Sequence, residues 1–135
     1  MSATVQILQP PGWARAKGFS NGIAASGRLV FIAGQIGWTG EGKWEARDFA
    51  GQFRQALSNI LEVLKEANGK PEHIVRLTWY VLDKGEYMSS LKAVGEAYRE
   101  LMGRHYPTMA VVQVSGLVED EARLEIEATA VVPEK

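Results

Sequence analysis

Apolar residues recur along the chain with two different periods, and the changes of period mark the elements. From Asp48 onward, Phe49, Phe53, Leu57, Ile60, Leu61, Leu64 and Ala67 fall at helical spacing, while Arg54, Asn59, Glu62 and Lys65 lie elsewhere on the wheel. This predicts an amphipathic helix that Asp48 can cap and Asn68-Gly69 ends. Between Ile74 and Leu82 the period drops to two, with Val75, Leu77, Trp79 and Val81 on one face and Arg76, Thr78 and Tyr80 among those on the other, as in a strand with two different surroundings. A second helix is expected from about Glu86 to Met102, its apolar side made by Met88, Leu91, Val94, Tyr98 and Leu101, with Gly103 past its end and Pro107 blocking continuation.

Ahead of these, Ile23 to Ala33 reads as two short strands turning at Ser26-Gly27-Arg28, a hairpin, and the glycine-rich stretch Gly34 to Gly42 reads as a loop. Ala110 to Val114 and Arg123 to Val132 are the last two strands, joined by a mostly polar connection from Ser115 to Glu121. The expected order is ββαβαββ, an α+β arrangement in which two helices cover one face of a mixed sheet. The other face stays open despite its own apolar content, and an uncovered face of that kind predicts self-association.

With 135 residues, 46% of them hydrophobic and 23% charged, the chain fits one globular domain, 1–135, without internal repeat or linker. Fifteen basic against 16 acidic residues, net −1, leave no electrostatic footprint for a nucleic-acid backbone. The absence of cysteine rules out disulfides, thiolate nucleophiles and thiolate metal ligands. No stretch approaches about 18 uninterrupted apolar residues and no basic-then-apolar segment opens the chain, so neither a membrane partner nor export is expected, and a cytoplasmic location is.

The candidate chemistry is sparse. Gly34 to Gly42 lacks the Gly-Lys-Ser/Thr ending of a phosphate cradle and opens no helix, so it reads as structural. His73 and His105 stand in no metal-ligand pattern, and no metal is expected; His105 reads as a surface or pocket-rim side chain. Trp38 and Trp44 bracket the glycine loop, where each could line a pocket for a planar ligand or anchor the loop. Glu125 and Glu127 alternate with Leu124, Ile126 and Ala128, so both carboxylates project from one sheet face about 6–7 Å apart. On a face covered by another subunit, such a carboxylate would be partly desolvated and able to hold a water.

Several stretches together resemble the RidA/YjgF family: Phe31-Ile32-Ala33-Gly34-Gln35-Ile36, Phe53-Arg54-Gln55-Ala56-Leu57-Ser58-Asn59-Ile60, Tyr106-Pro107-Thr108-Met109-Ala110-Val111-Val112-Gln113-Val114, and Leu124-Glu125-Ile126-Glu127-Ala128-Thr129-Ala130. They follow one another in the family's order between about Gly18 and Val132. The resemblance implies a chorismate-mutase-like fold, a homotrimer with pockets at the subunit clefts, and cofactor-free hydrolytic release of ammonia from reactive enamines and imines. It further implies a water-orienting role for Glu125 and a close backbone approach to ligand at Gly34. The family's pocket arginine, which pairs with the substrate carboxylate, falls at Met109; its tyrosine falls at Phe19, its serine at Ala33 and its pocket-rim cysteine at Val111, with Ala110 between them in the pocket wall. Carboxylate recognition is thus changed while the water machinery is kept. Two functions follow: a deaminase for a larger, more apolar enamine or imine, which Trp38 and Phe19 would suit, and a ligand-binding or regulatory trimer without turnover. The ribonuclease activity sometimes attached to the family finds no support in the charge balance.

Overall fold

The computed structural model describes residues 4–134. Its elements are β1 (Thr4–Leu8), β2 (Gly22–Ser26), β3 (Arg28–Gln35), α1 (Phe49–Lys65), a 3-10 turn (Pro71–His73), β4 (Ile74–Val81), α2 (Lys84–Ser89), α3 (Leu91–Met102), β5 (Thr108–Gln113) and β6 (Leu124–Val132). The main sheet has strand order β3-β6-β4-β5. β6 runs antiparallel to both β3 and β4, while β4 and β5 are parallel, so the sheet is mixed as expected.

The core lies on one side of this sheet. The period-3.6 pattern of α1 buries Phe49, Phe53, Ala56, Leu57, Ile60 and Leu64. The period-2 pattern supplies the matching surface, with Leu77, Trp79 and Val81 from β4 and Leu124, Ile126, Ala128 and Ala130 from β6. Val94, Ala97, Tyr98 and Met102 of α3 complete it. Phe53 is fully buried and stacks on Trp79 with ring centroids 4.8 Å apart.

One buried polar residue crosses this apolar interface. Gln52 donates to the carbonyls of Ala46 (3.3 Å) and Glu121 (3.0 Å) and accepts from the Arg123 amide (2.8 Å), so a single amide joins α1 to the segments that precede it and that lead into β6. All of its polar atoms are engaged, which is the condition for burying it without a desolvation penalty.

Four local expectations are corrected. The stretch from Ile23 to Ala33 is not a hairpin, because β2 pairs with β1, register Thr4↔Ser26 to Leu8↔Gly22, and β3 belongs to the other sheet. The chain changes sheets at Gly27, whose φ of 148° and close approach to the Val132 carbonyl (a Cβ would lie 2.6 Å from it) admit only glycine. β3 continues through Gly34 and Gln35, so the loop expected from Gly34 begins two residues later; a register shift between Ile32 and Gln35 carries the strand past them.

The second helix is two. Ser90, at φ −102° and ψ 3°, leaves the helical region, and the hydroxyls of Ser89 and Ser90 both donate to the Glu86 carbonyl (3.1 and 2.7 Å), competing with the helical amides for it. Asp83 caps α2 by accepting from the Glu86 amide at 3.2 Å. Asp48 does stand at the N-cap of α1, but its side chain makes no cap hydrogen bond; its carbonyl receives the Gln52 amide instead.

The opposite face of the sheet is open, as the strand patterns require. Leu29 and Phe31, the latter 74% exposed, project from β3 on the side away from Val30 and Ile32, and exposed Val112 does so from β5.

Candidate functional site

Pairing between β4 and β6 sets Tyr80 opposite Glu125 and Thr78 opposite Glu127. Ile126 and Ala128 point into the core, so Glu125 and Glu127 both stand on the open face, where Tyr80 joins them. The Tyr80 hydroxyl donates a hydrogen bond to Glu127 Oε1. That bond, then desolvation, then the charges of Glu127 and Glu125 hold the phenol above its ordinary pKa, so Tyr80 remains a neutral donor. Glu127 is thereby occupied, while Glu125 is half-buried and forms no ion pair among the described residues.

Gly34 explains how Glu125 sits. A Cβ at residue 34 would run directly into the Glu125 carboxylate, at Oε2 and Cδ, so the carboxylate occupies the space that glycine leaves on the neighbouring strand. Gly34 and Glu125 are therefore one cluster, with Ala33 preceding Gly34 on β3, and Ala110, opposite Thr78 on β5, shares the face of Glu125.

The other sequence-selected residues gather on the helix side. Phe19, Trp79, Tyr98, Tyr106, Met109 and Val111 line a cavity of about 490 Å³ between β5 and α3, with Lys17 and Arg99 among its further lining residues. Tyr98 and Tyr106 stack in parallel, centroids 5.3 Å apart, and burial pushes the phenol pKa of Tyr98 well up; its hydroxyl donates to the His105 carbonyl at 2.6 Å. Phe19 reaches the cavity because Ser20 is tied down, its hydroxyl to the Tyr106 carbonyl (2.5 Å) and its amide to the Pro107 carbonyl (3.1 Å).

Within one chain, then, Phe19, Met109 and Val111 face the cavity, and Ala33, Gly34, Ala110 and Glu125 face the opposite side of the sheet. Trp38 joins neither group. It packs against Trp44 (5.9 Å) beside a separate hollow formed with Gln35, Gly40 and Asn59, and the Asn59 amide holds its carbonyl at 2.7 Å. His105 is half-buried with Nε2 2.6 Å from the Ile74 carbonyl, a structural tie between the segment after α3 and the start of β4.

Among the described residues no group of three or more His, Cys, Asp or Glu could hold a metal ion, and no helix is long and apolar enough to cross a membrane. Two participants were not selected from sequence. Tyr80 was legible only as a polar strand position, and Gln52 carried a usable signal, a polar side chain on the apolar stripe between Phe49 and Ala56.

Comparison with known proteins gives concordant findings. The family model for endoribonuclease L-PSP matches residues 12–132. A RutC family protein of Pyrococcus horikoshii is 34% identical over 83% of this chain and 85% of its own length. The human 2-iminobutanoate/2-iminopropanoate deaminase is 31% identical over 77% of this chain and 73% of its own. Among solved structures, a conserved Rid family protein from Yersinia pestis superposes with a TM-score of 0.84 at 30% identity, covering 95% of this chain and 98% of that one. A member of the YjgF/YER057c/UK114 family from Mycobacterium tuberculosis does so with a TM-score of 0.63 at 32% identity, covering 85% and 87%.

Proposed function

Because the chain belongs to the endoribonuclease L-PSP family, the RidA/YjgF group of proteins, we propose that it is a hydrolytic enamine/imine deaminase that works without a cofactor. The observation that carries this reading is the Glu125 carboxylate, packed against the backbone of Gly34 and without an ion pair among the described residues, on a sheet face left open by its own chain. An enamine tautomerises to the imine, water adds to the C=N carbon, and the carbinolamine collapses to a carbonyl and ammonia. Glu125 accepts the proton of the attacking water and returns it to the departing nitrogen. Tyr80 holds Glu127 so that the two carboxylates are not equivalent.

Turnover in this scheme needs a second copy. In one chain the sheet separates Glu125 from the cavity of Phe19, Met109 and Val111, so a complete cleft sets the open face of one protomer against the cavity edge of another. A homotrimer satisfies this, covers Phe31 and Val112, and gives three equivalent clefts. Light scattering on the purified protein should return three times the chain mass at micromolar concentration, and a stable monomer would overturn the assembly. A cytoplasmic site of action belongs to the same reading.

Met109 sets the expected specificity. A small 2-imino acid finds no guanidinium at this position, and loss of a charge-assisted contact costs about 1.5–3 kcal/mol, roughly ten- to a hundredfold in efficiency. Ammonia release from freshly generated 2-aminoacrylate should therefore be slow, and Met109→Arg should restore part of it. Robust wild-type turnover of that substrate would show that Met109 does not redirect specificity. The apolar cavity wall also favours a second reading, a binding trimer without turnover, which inactivity on every enamine and imine tried would support.

A further inference from the structure

We propose that the cavity between β5 and α3 recognises the carboxylate of a planar, aryl-bearing molecule through Arg99 of α3, with Trp79 donating to a polar atom of the same ligand. This inference rests on the reading of the cleft as the substrate site and names the substrate class: an imino or enamino acid with an aromatic or heteroaromatic side chain.

The first observation is the Trp79 indole. It is 3% exposed and forms part of the cavity wall, yet its Nε1–H is buried without an acceptor, the one such side-chain donor among the described residues. An orphaned buried donor is destabilising, and an acceptor brought by a ligand offsets that. The ring itself is fixed by stacking on Phe53 and by the steep contact with Tyr87 (5.9 Å, 81°), so the donor is preorganised.

The second observation is independent of the first. Arg99 lies one helical turn after Gly95, and helical side chains lean toward the N-terminus. With no Cβ at Gly95, the guanidinium rests over that residue, Nη1 3.3 Å from where a Cβ would be, and both residues line the cavity. The Arg99 guanidinium forms no ion pair or hydrogen bond among the described residues, and neither does the Lys17 ammonium at the same cavity. The cation that Met109 does not provide on β5 is thus present across the cavity on α3. Between them stand Phe19, Tyr98, Tyr106 and Met109, surfaces suited to a flat apolar body, in a volume of about 490 Å³ that a three-carbon acid would leave mostly empty.

The test uses unreactive probes, so that binding is read apart from turnover. Trans-cinnamate, cinnamamide and propanoate are titrated into the ¹⁵N-labelled protein, and the Trp79 indole N–H resonance, identified by its loss in Trp79→Phe, is followed by NMR. Cinnamate and cinnamamide should shift it saturably and propanoate should not. Arg99→Gln should weaken cinnamate about tenfold while leaving cinnamamide unchanged, since only the former has a charge to pair. A Trp79→Phe variant that fails to fold leaves the Arg99 comparison intact, because Arg99 is an exposed helix residue. No saturable shift of any indole resonance with cinnamate, or a cinnamate affinity indifferent to Arg99→Gln, would overturn the proposal. Cinnamate binding in a protein inactive on all imines would support the site and sink only the deaminase reading, whereas imine turnover without cinnamate binding would sink only the site.

Discussion

A Glu125→Gln variant is expected to lose deaminase turnover by about two to four orders of magnitude, the range that a positioned general base contributes. The amide keeps the volume and the strand alternation but cannot take a proton from water. It also fits the space beside Gly34, so assembly and thermal stability should be unchanged. Gly34→Ala should approach the same loss by a different route, since the new methyl occupies the position of the Glu125 carboxylate and forces that flexible side chain away while β3 keeps its pairing. Glu127→Gln is expected to matter less, because Tyr80 can still donate to the amide oxygen. Steady-state ammonia release on a single preferred imine, measured for all three variants, separates these outcomes. Glu125→Gln and Glu127→Gln retaining equal, near-wild-type rates would remove Glu125 from the mechanism.

The largest expected loss of stability belongs to Phe53→Ala, at about 3–5 kcal/mol, the range for truncating a fully buried aromatic. Phe53 is 0% exposed, and its ring carries the stack with Trp79 that ties α1 to β4. The void left behind would persist, because fully buried core residues such as Leu57 in the same helix and Ile126 in the central strand have no spare room to move into it. Urea denaturation at equal protein concentrations is the appropriate measurement, because self-association would add a mass-action term. A loss below about 1.5 kcal/mol would mean that the core collapses around the deletion instead of holding a cavity. Because Trp79 also forms the cavity wall, the same variant should broaden its indole N–H resonance.

Residues with a strong period were legible in the sequence. Phe49 to Leu64 carries a period of 3.6 broken only by Gln52, Leu124 to Ala130 carries a period of 2, and both elements lie where these patterns put them. The break at Ser90 was not legible, because Met88, Leu91 and Val94 continue one apolar stripe across it and the competing serine hydroxyls act at short range on a single carbonyl. The pairing of β2 with β1 was hidden for another reason. Val5, Ile7 and Leu8 are exposed and give no buried alternation, and Ser26-Gly27-Arg28 has the local chemistry of a turn whether or not its flanks pair with each other.

The site divides similarly. The shared face of Glu125 and Glu127 follows from strand alternation alone. That Phe19, Met109 and Val111 meet at one cavity depends on Ser20 being bound to Tyr106, 86 residues away along the chain, and to the adjoining Pro107, and such contacts have no local signature. Strand alternation makes Trp79 a core-facing residue, which it is; its unpaired N–H is a property of the neighbours it lacks.

The strand order β3-β6-β4-β5 also fixes when the molecule can be finished. β6 is made after every other element described here, yet it lies between β3 and β4 and supplies the pairing that connects them. While the chain is still being synthesised up to β5, α1 has only half of its sheet to pack on, and the two halves of the main sheet have no edge in common. Leu124 to Val132 therefore act as a closing key. Cooperative folding waits for release of the last strand from the ribosome tunnel, and a nascent chain arrested at residue 113 should remain protease-sensitive and chaperone-bound whatever the quality of its helices.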